Sequence, residues 1–301
     1  MFPLSRRFAA ACVLLAAAST ASAQERLRWK FAEGEAGTYQ FVQVRNTRAN
    51  VMGQDVDQKM SLTMDLGWTV ESVAPDGTVT LRQKISRVQM SASSPFFKFE
   101  YDSSKGAETD DPIVGQITKV FGATVGKDFT SKLTGRGEVR DVTLSEELEG
   151  ALEGAAGGAL PGGGFNADTL KQLVGQSSVT FPEEPVSAGA NWSGMTDAKL
   201  PFGTIKIKNQ FSYLGTEQRS GKTLHKIALK PELSIEADPN SDVQLAVKSQ
   251  DASGVLYFDN RQGRLADSTV KHKMELDVMV GGQAFRQNID QTTTMKLVPQ
   301  K

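Results

Sequence analysis

The sequence has a single cysteine among 301 residues, and Cys12 lies in an N-terminal segment that we expect to be removed. A mature chain without a thiol excludes disulfides, a cysteine nucleophile and a thiolate metal site. Its fold must therefore be stabilised by the burial of apolar side chains, for which a chain of this length is large enough.

The N-terminal segment has the three parts of an export signal. Arg6 and Arg7 precede the short apolar run 8–18, and the small-x-small pattern that ends at Ala23 makes Gln24 the expected first residue of the mature chain. The apolar run is too short to span a bilayer stably. The sequence therefore predicts a signal peptide at residues 1–23, an exported protein that is periplasmic or secreted, and no stable membrane span after cleavage.

The mature chain also lacks a marked excess of either charge. Residues 1–23 contain two of the 34 basic residues and no acidic residue, so 32 basic side chains face 35 acidic ones and the net charge is −3. A nearly neutral chain gives no electrostatic reason to expect binding of nucleic acid or of an anionic membrane surface. Aromatic residues make up 7% of the sequence, which is low for a sugar-binding cleft.

Residue patterns that would carry catalysis are scarce. The chain has no G-x-S-x-G nucleophile elbow and no P-loop. Its two histidines, His225 and His272, occupy the apolar positions of alternating segments, which is typical of hydrogen-bonded histidines in or beside a core. We therefore expect no metal, no cofactor and no enzymatic activity. A hydrolase that uses two carboxylates stays open as an alternative, because such pairs are distant in sequence.

The sequence is rich in alternation of apolar and polar residues with a period of two. From residue 60 to residue 70 the apolar side chains are Met60, Leu62, Met64, Leu66, Trp68 and Val70. Successive strand side chains point to opposite faces, so this pattern predicts a strand with one buried face. The apolar residues fall at odd positions over 79–85 and at even positions over 88–90. That change near Ser86 and Arg87 predicts a β-bulge.

The C-terminal part repeats this pattern. Its alternating segments are 205–213, 227–235, 243–258, 270–280 and 285–297. Turn sequences separate them, among them Asn260–Gly263 and the pair Gly281-Gly282, which suits a tight hairpin. Long strands joined by short turns predict a mainly β fold with a few short helices. The expected architecture is a large curved antiparallel meander sheet, either an open barrel or two similar β-rich halves.

Three stretches have helical rather than strand patterns. A helix is expected over 112–122, a second after the capping-box pair Thr143 and Glu146, and a third after Asn166. Seven of the fifteen residues from 150 to 164 are glycine, which is typical of a linker or a mobile loop. After the signal peptide, the expected organisation is a first β-rich half (24–149), a linker with a short helix (150–176) and a second β-rich half (177–301).

Two further motifs support a resemblance. They are Leu133-Thr134-Gly135-Arg136-Gly137-Glu138-Val139 and Val255-Leu256-Tyr257-Phe258-Asp259-Asn260-Arg261-Gln262-Gly263-Arg264-Leu265. With the signal peptide and the two meander halves, the chain resembles an uncharacterised, β-rich bacterial envelope or secreted protein family of unknown function. More remotely it is similar to the periplasmic open-barrel lipoprotein carriers. The first resemblance implies no activity and no functional residues; the second implies acyl chains held between a curved sheet and covering helices.

The sequence favours an exported, non-catalytic envelope protein that acts as a structural or protein-interaction module. Its partner would be an unknown envelope protein that binds exposed strand edges. The alternative is a carrier or binder of an apolar, lipid-like small molecule on a concave face of the sheet. The expected apolar liners of that face are Met64, Leu66, Trp68, Met274 and Leu276.

Overall fold

The computed structural model describes residues 24–51, 53–105, 112–155, 167–175, 179–200 and 202–299. The strands are β1 (Ala36–Val51), β2 (Gln54–Val73), β3 (Val79–Ser93), β4 (Lys98–Asp102), β5 (Asp128–Leu133), β6 (Val139–Leu144), β7 (Asn191–Leu200), β8 (Gly203–Arg219), β9 (Lys222–Ala237), β10 (Val243–Asp259), β11 (Arg264–Val280) and β12 (Gln283–Val298). The helices are α1 (Pro112–Thr124), α2 (Glu146–Ala155) and α3 (Ala167–Gly175). Gln24 is the first described residue; Ala23 and the rest of the expected signal peptide lie outside the described ranges.

All twelve strands belong to one sheet with the order β6-β5-β3-β2-β1-β12-β11-β10-β9-β8-β7, and β4 pairs with β3 outside this path. The strands of each pair run antiparallel. The sheet is curved and does not close into a barrel. This confirms the predicted mainly β fold, a large curved antiparallel sheet with a few short helices.

The β1–β12 pair joins two groups of strands. Twelve residue pairs run without interruption from Thr38↔Val298 to Ala49↔Gln287. Strands β1–β6 lie on one side of this junction and β7–β12 on the other. The division of the chain into two separate halves, 24–149 and 177–301, stays a prediction.

Local turn chemistry accounts for the connections between the strands. Gly281 and Gly282 join β11 to β12 with φ angles of +57° and +79°, a conformation that glycine adopts without steric strain. The predicted bulge is confirmed, because Asp65 pairs with Arg87 and Leu66 with Ile85, which leaves Ser86 without an opposite residue.

The helix predictions had mixed outcomes. Helix α1 begins at Pro112 as expected. The predicted capping box is wrong, because Thr143 belongs to β6 and pairs with Thr130. Ser145 caps α2 instead, and its Oγ accepts a hydrogen bond from the backbone N–H of Leu148 at 3.2 Å. The predicted cap Asn166 and most of the glycine-rich stretch lie outside the described residues.

Strands β9 and β10 separate along most of their length. They pair over only five residues, from His225↔Phe258 to Leu229↔Gly254. Pro231 follows on β9 and has no backbone N–H with which to continue the ladder. Beyond it, the Gln250 side chain bridges the gap: its Nε2 donates to the carbonyl of Leu233 at 2.7 Å, and its Oε1 accepts from the Leu233 N–H at 2.9 Å.

The core lies on one face of the sheet, which we call the inner face; it carries Tyr39, Leu66, Trp68 and Phe258. Three clusters of buried apolar side chains cover the end of this face at which β1 begins and β2 ends, which we call the closed end. Segments 25–31 and 179–186 and helices α2 and α3 supply the second layer. The opposite end, with the β1–β2 and β11–β12 turns, is the open end.

Candidate apolar ligand site

Segment 25–31 is held across the closed end by backbone hydrogen bonds to two turns of the sheet. The N–H of Trp29 donates to the carbonyl of Gly135 at 2.8 Å, and the N–H of Lys30 donates to the carbonyl of Gly263 at 3.3 Å. Asn260 fixes the same segment, because its Oδ1 accepts from the Arg28 N–H and its Nδ2 donates to the Arg26 carbonyl, both at 3.1 Å. The two sequence motifs that contain these turns therefore dock the N-terminal segment.

Two glycines make that docking possible. Gly137 has φ +99°, and a Cβ at this position would lie 2.6 Å from Trp29 Nε1 and against the carbonyl of Val179. Gly263 has φ +66°, and a Cβ there would lie 2.5 Å from the Cβ of Lys30. Both positions need glycine for the backbone conformation and for space.

Aromatic rings form the layer beneath segment 25–31. Trp29 packs edge-on against Phe258 with ring centroids 5.4 Å apart, and Phe258 packs against Phe181 at 4.7 Å. Phe31 meets Trp68 at 5.6 Å with nearly perpendicular ring planes. Edge-to-face pairs of this kind add stability beyond the area that they bury. The closed end is therefore a rigid aromatic wall.

A cavity of about 90 Å³ lies between this wall, the inner face and helix α3. Its lining residues are Trp29, Phe31, Tyr39, Leu66, Trp68, Leu81, Gln83, Ser131, Leu133, Val139, Val174, Val179, Leu265 and Met295. All but Gln83 and Ser131 are apolar or aromatic, and these two hydrogen-bond to each other at 2.7 Å. The cavity can therefore hold an apolar group with little competition from polar atoms.

A buried arginine adjoins the cavity wall. The side chain of Arg264 is 3% exposed, and its Cζ lies 3.7 Å from the centroid of the Phe31 ring and 5.1 Å from that of Trp68. One of its terminal nitrogens pairs with Glu35, and the other donates to the carbonyl of Gly263 at 3.1 Å. Burial lowers the pKa of Arg264, while the Glu35 carboxylate raises it. A guanidinium remains charged under these conditions.

Tyr39 closes the cavity beside this arginine. Its hydroxyl donates to the carbonyl of Leu265 at 3.2 Å, and burial raises the pKa of the phenol. The phenol is therefore neutral at physiological pH, and its single polar atom is already used within the protein.

The five predicted liners share the inner face but do not share one site. Leu66 and Trp68 line the cavity, and Met64 precedes Leu66 by two residues on β2, opposite Phe41. Met274 and Leu276 belong to a second apolar cluster at the open end. Because Met274 is in register with Gln58, it lies six residues, or about 20 Å, from Met64 along the strand direction.

Polar side chains lie on the inner face between the two groups of liners. They are Gln43, Arg45, His272, Gln291 and Thr293, by their register on β1, β11 and β12. The structure thus brings Met64, Leu66 and Trp68 together and keeps Met274 and Leu276 apart from them. Ligand contact by any of the five stays a prediction.

The two histidines lie on the inner face, each beside a polar partner. His225 is buried, and its Nδ1 lies 2.9 Å from the Tyr213 hydroxyl; His272 is half-buried, with Nε2 3.3 Å from Oε1 of Gln250. Burial lowers the pKa of both imidazoles. Among the residues that the structure describes, no three His, Cys, Asp or Glu side chains are grouped so that they could hold a metal ion.

Sequence reasoning missed several residues of the cavity. Trp29 and Phe31 lie outside the alternating segments, and Arg264 belongs to a turn motif that carried only a family resemblance. The sequence does contain hints of them: two aromatic residues shortly before Glu35, and a turn sequence directly before Arg264. Nothing local connects segments more than 220 residues apart.

A comparison with family models finds one match, to the family of unknown function DUF6263, over residues 76–220. This confirms the predicted resemblance to a family of unknown function for that part of the chain. No curated protein matches the chain. In the described ranges, no helix combines the length and apolar character that a membrane span requires.

Three solved structures with 10% sequence identity illustrate the likeness to known folds. One is a structure of lipovitellin that describes lipid–protein interactions, with 10% sequence identity and a TM-score of 0.49. The match covers 90% of this chain but only 26% of the lipovitellin chain. A putative outer membrane lipoprotein-sorting protein domain from Vibrio parahaemolyticus is also 10% identical, with 86% and 83% of the two chains covered and a TM-score of 0.13. A DUF1329 family protein from Desulfovibrio piger has the same identity and TM-score, with 84% and 83% covered. TM-scores below 0.5 support no conclusion about the ligand of this chain.

Proposed function

We propose that this protein is an exported, non-catalytic binder of an apolar, lipid-like molecule. The observation that carries the proposal is the apolar cavity at the closed end, whose liners continue into half-buried apolar side chains of the inner face. Tyr39 and Leu66 line the cavity. Phe41 and Met64 form the next cross-strand pair on the same face of β1 and β2, two residues towards the open end.

The size of the cavity decides how such a ligand would lie. At about 90 Å³ it is well below the volume of a typical small-molecule pocket, about 300–1,000 Å³. It therefore holds one end of a ligand, and the rest extends over Phe41, Met64 and Met295. Two of these residues are methionines, whose flexible thioethers adapt to apolar ligands of varied shape.

Binding without catalysis is part of this proposal. Glu35, beside the cavity wall, is ion-paired with Arg264, and its Oε2 also accepts the N–H of Ala32 at 3.1 Å. Both contacts are made by the same carboxylate oxygen, which is therefore already engaged within the protein. A carboxylate-dependent hydrolase would need a second carboxylate facing it across a cleft.

The experiment is native mass spectrometry of the mature protein, gently purified from its source compartment, followed by organic extraction. The expected result is excess mass that the extract identifies as an apolar molecule. The test variant is Leu66→Gln, which places an amide in the cavity wall and should lose the excess mass. The matched control is Val44→Gln on the opposite, exposed face, which should keep it. Loss of the excess mass in both variants, or its absence from the wild-type protein, would contradict the proposal.

A protein-interaction function is the second candidate, and the exposed edge of the sheet favours it. Among the strands that the structure describes, β7 is the last in the sheet order and pairs with β8, and Met195 at its centre is 67% exposed. Unpaired strand edges can accept a further strand from a partner. Met195→Lys should abolish capture of such a partner from an envelope extract without changing the apolar ligand content, which separates the two functions.

A further inference from the structure

Two buried hydrogen-bond donors at the closed end have no acceptor in the described part of the chain. They are Nε of Arg264 and Nε1 of Trp68, in side chains that are 3% and 6% exposed. Buried donors in folded proteins nearly always have partners, because an unmet donor loses its hydration without compensation. Two such atoms on neighbouring side chains point to an acceptor outside the residues that the structure describes.

These donors stand between the apolar cavity and a polar groove. Trp68 lines the cavity with Phe31, and Trp68 and Arg264 also line a groove of about 610 Å³ at the edge of the closed end. A ligand that crosses this wall would have its apolar part in the cavity and a polar head in the groove.

The charge of the groove favours an anionic head. Its basic residues are Arg219, Lys222, Arg264 and Lys296, and its acidic residues are Glu35, Asp259 and Asp267. The three acids each pair with one of the bases, and Lys296 is left in excess. The groove therefore has one net positive charge beside the two unmet donors.

The geometry of Arg264 favours a carboxylate in particular. The Nε and the neighbouring terminal nitrogen of a guanidinium form an edge that binds the two oxygens of a carboxylate. Glu35 pairs with the terminal nitrogen Nη2, and Nε is unused. The Glu35 side chain is 41% exposed, so it can turn towards solvent when another carboxylate takes its place.

We propose that Arg264 and Trp68 bind the carboxylate of a long-chain acyl ligand, with the chain directed into the cavity and along Phe41 and Met64. This rests on the proposed function, since it specifies the polar head of that apolar ligand. The carboxylate accepts from Arg264 Nε and from Trp68 Nε1. The site therefore selects a fatty acid over its uncharged ester or alcohol.

The first test uses the indole N–H signals of ¹⁵N-tryptophan-labelled mature protein. All three tryptophans of the sequence lie in the mature chain. Trp68→Phe assigns the Trp68 signal. Hexadecanoate should move the Trp68 indole proton downfield, because its N–H gains an acceptor. The Trp192 signal is the internal control, since its N–H already donates to the carbonyl of Thr180 at 3.0 Å. This readout is made on the wild-type protein and needs no change at Arg264; Trp68→Phe serves only to assign the signal.

The second test compares the affinities of hexadecanoate, methyl hexadecanoate and hexadecanol. The acid should bind about tenfold or more tightly than the other two, as expected for a charged hydrogen bond. Arg264→Met should remove this preference, because it weakens binding of the acid far more than binding of the ester. Arg219→Met is the matched control, because Arg219 lines the same groove, lies 3.8 Å over the Tyr257 ring and pairs with Asp267.

The outcomes separate this inference from the proposed function. Equal affinity for acid and ester, an unmoved Trp68 signal, or an acid preference that survives Arg264→Met would overturn the carboxylate site while apolar binding stands. If none of the three probes binds, the proposed function fails as well.

Discussion

The closed and open ends of the inner face are built from the same alternating strands but are buried in different ways. At the closed end, sheet residues such as Ile227 and Phe258 pack against Leu27, Phe181 and Val186 from segments outside the sheet. At the open end, the buried residues Leu276, Val278 and Ile289 belong to the neighbouring strands β11 and β12. The alternation of apolar and polar residues therefore identifies the side chains of the inner face. The packing of a second layer of segments and helices against them determines which part of that face becomes a core.

The largest expected difference between the two ends comes from removing one phenylalanine at each. Phe258→Ala should lower the free energy of unfolding by about 3–5 kcal/mol, because Phe258 is 1% exposed and packs against Trp29 and Phe181. Phe285→Ala at the half-buried open end should cost about 1 kcal/mol. Urea denaturation of both variants measures this, and equal losses would mean that the open end is as tightly packed as the closed end.

A glycine substitution at each end sharpens the comparison. Gly137→Ala should cost about 3 kcal/mol, from the strain of a positive φ together with displacement of the bond from Trp29 Nε1 to Val179. Gly53→Ala has the same kind of backbone strain, with φ +80°, but open space around the new Cβ, and should cost about 1 kcal/mol. Thermal unfolding measures both variants. A cost at Gly137 no larger than at Gly53 would show that segment 25–31 is not held firmly.

The strands and turns could be predicted from the sequence because their signals are local. Alternation from Met60 to Val70 identified the apolar face of β2, and the change of parity at Ser86 identified its bulge with β3. Gly281-Gly282 set the last hairpin. In each case the residues that determine the structure are within a few positions of it.

The candidate site could be predicted only in part, because its residues come together from distant parts of the chain. Leu66 and Trp68 were expected as liners from the pattern of β2 alone. Their separation from Met274 depends on the pairing of β1 with β12, which the sequence does not specify. The stacking of Arg264 on Phe31 needs the docking of segment 25–31, which no periodicity reveals.

The gap between β9 and β10 gives a smaller contrast within the second group of strands. Gln250→Ala should leave the N–H and carbonyl of Leu233 without partners and lower local stability by about 1–2 kcal/mol. Amide hydrogen exchange at Leu233 should then be faster, while exchange at Ile227, in the paired part near the closed end, should not change. Gln291→Ala is the control, because the side chain of that glutamine donates to the Thr293 hydroxyl at 3.3 Å and does not bridge two strands in this way. Unchanged exchange at Leu233 would mean that the strands are held together by other contacts.

The smallest expected effect is the pH dependence that the two histidines give to stability. Burial lowers the pKa of His225 and of His272, so each imidazole is more readily protonated in the unfolded chain than in the folded one. Their contribution is fully present above the unfolded pKa of about 6.5 and is lost as the pH falls from there through the lowered folded pKa. Carboxylates with lowered pKa, such as Asp102 beside Arg87, lose theirs in a separate and more acidic range. His225→Gln should therefore flatten the decline of the unfolding midpoint between pH 7 and pH 5. His272→Gln should flatten it less, because His225 is buried against Tyr213 whereas His272 is half-buried. A larger effect of His272→Gln would mean that His272, in the middle of the inner face, is the more strongly desolvated of the two imidazoles. The closed end would then not be the better covered of the two regions.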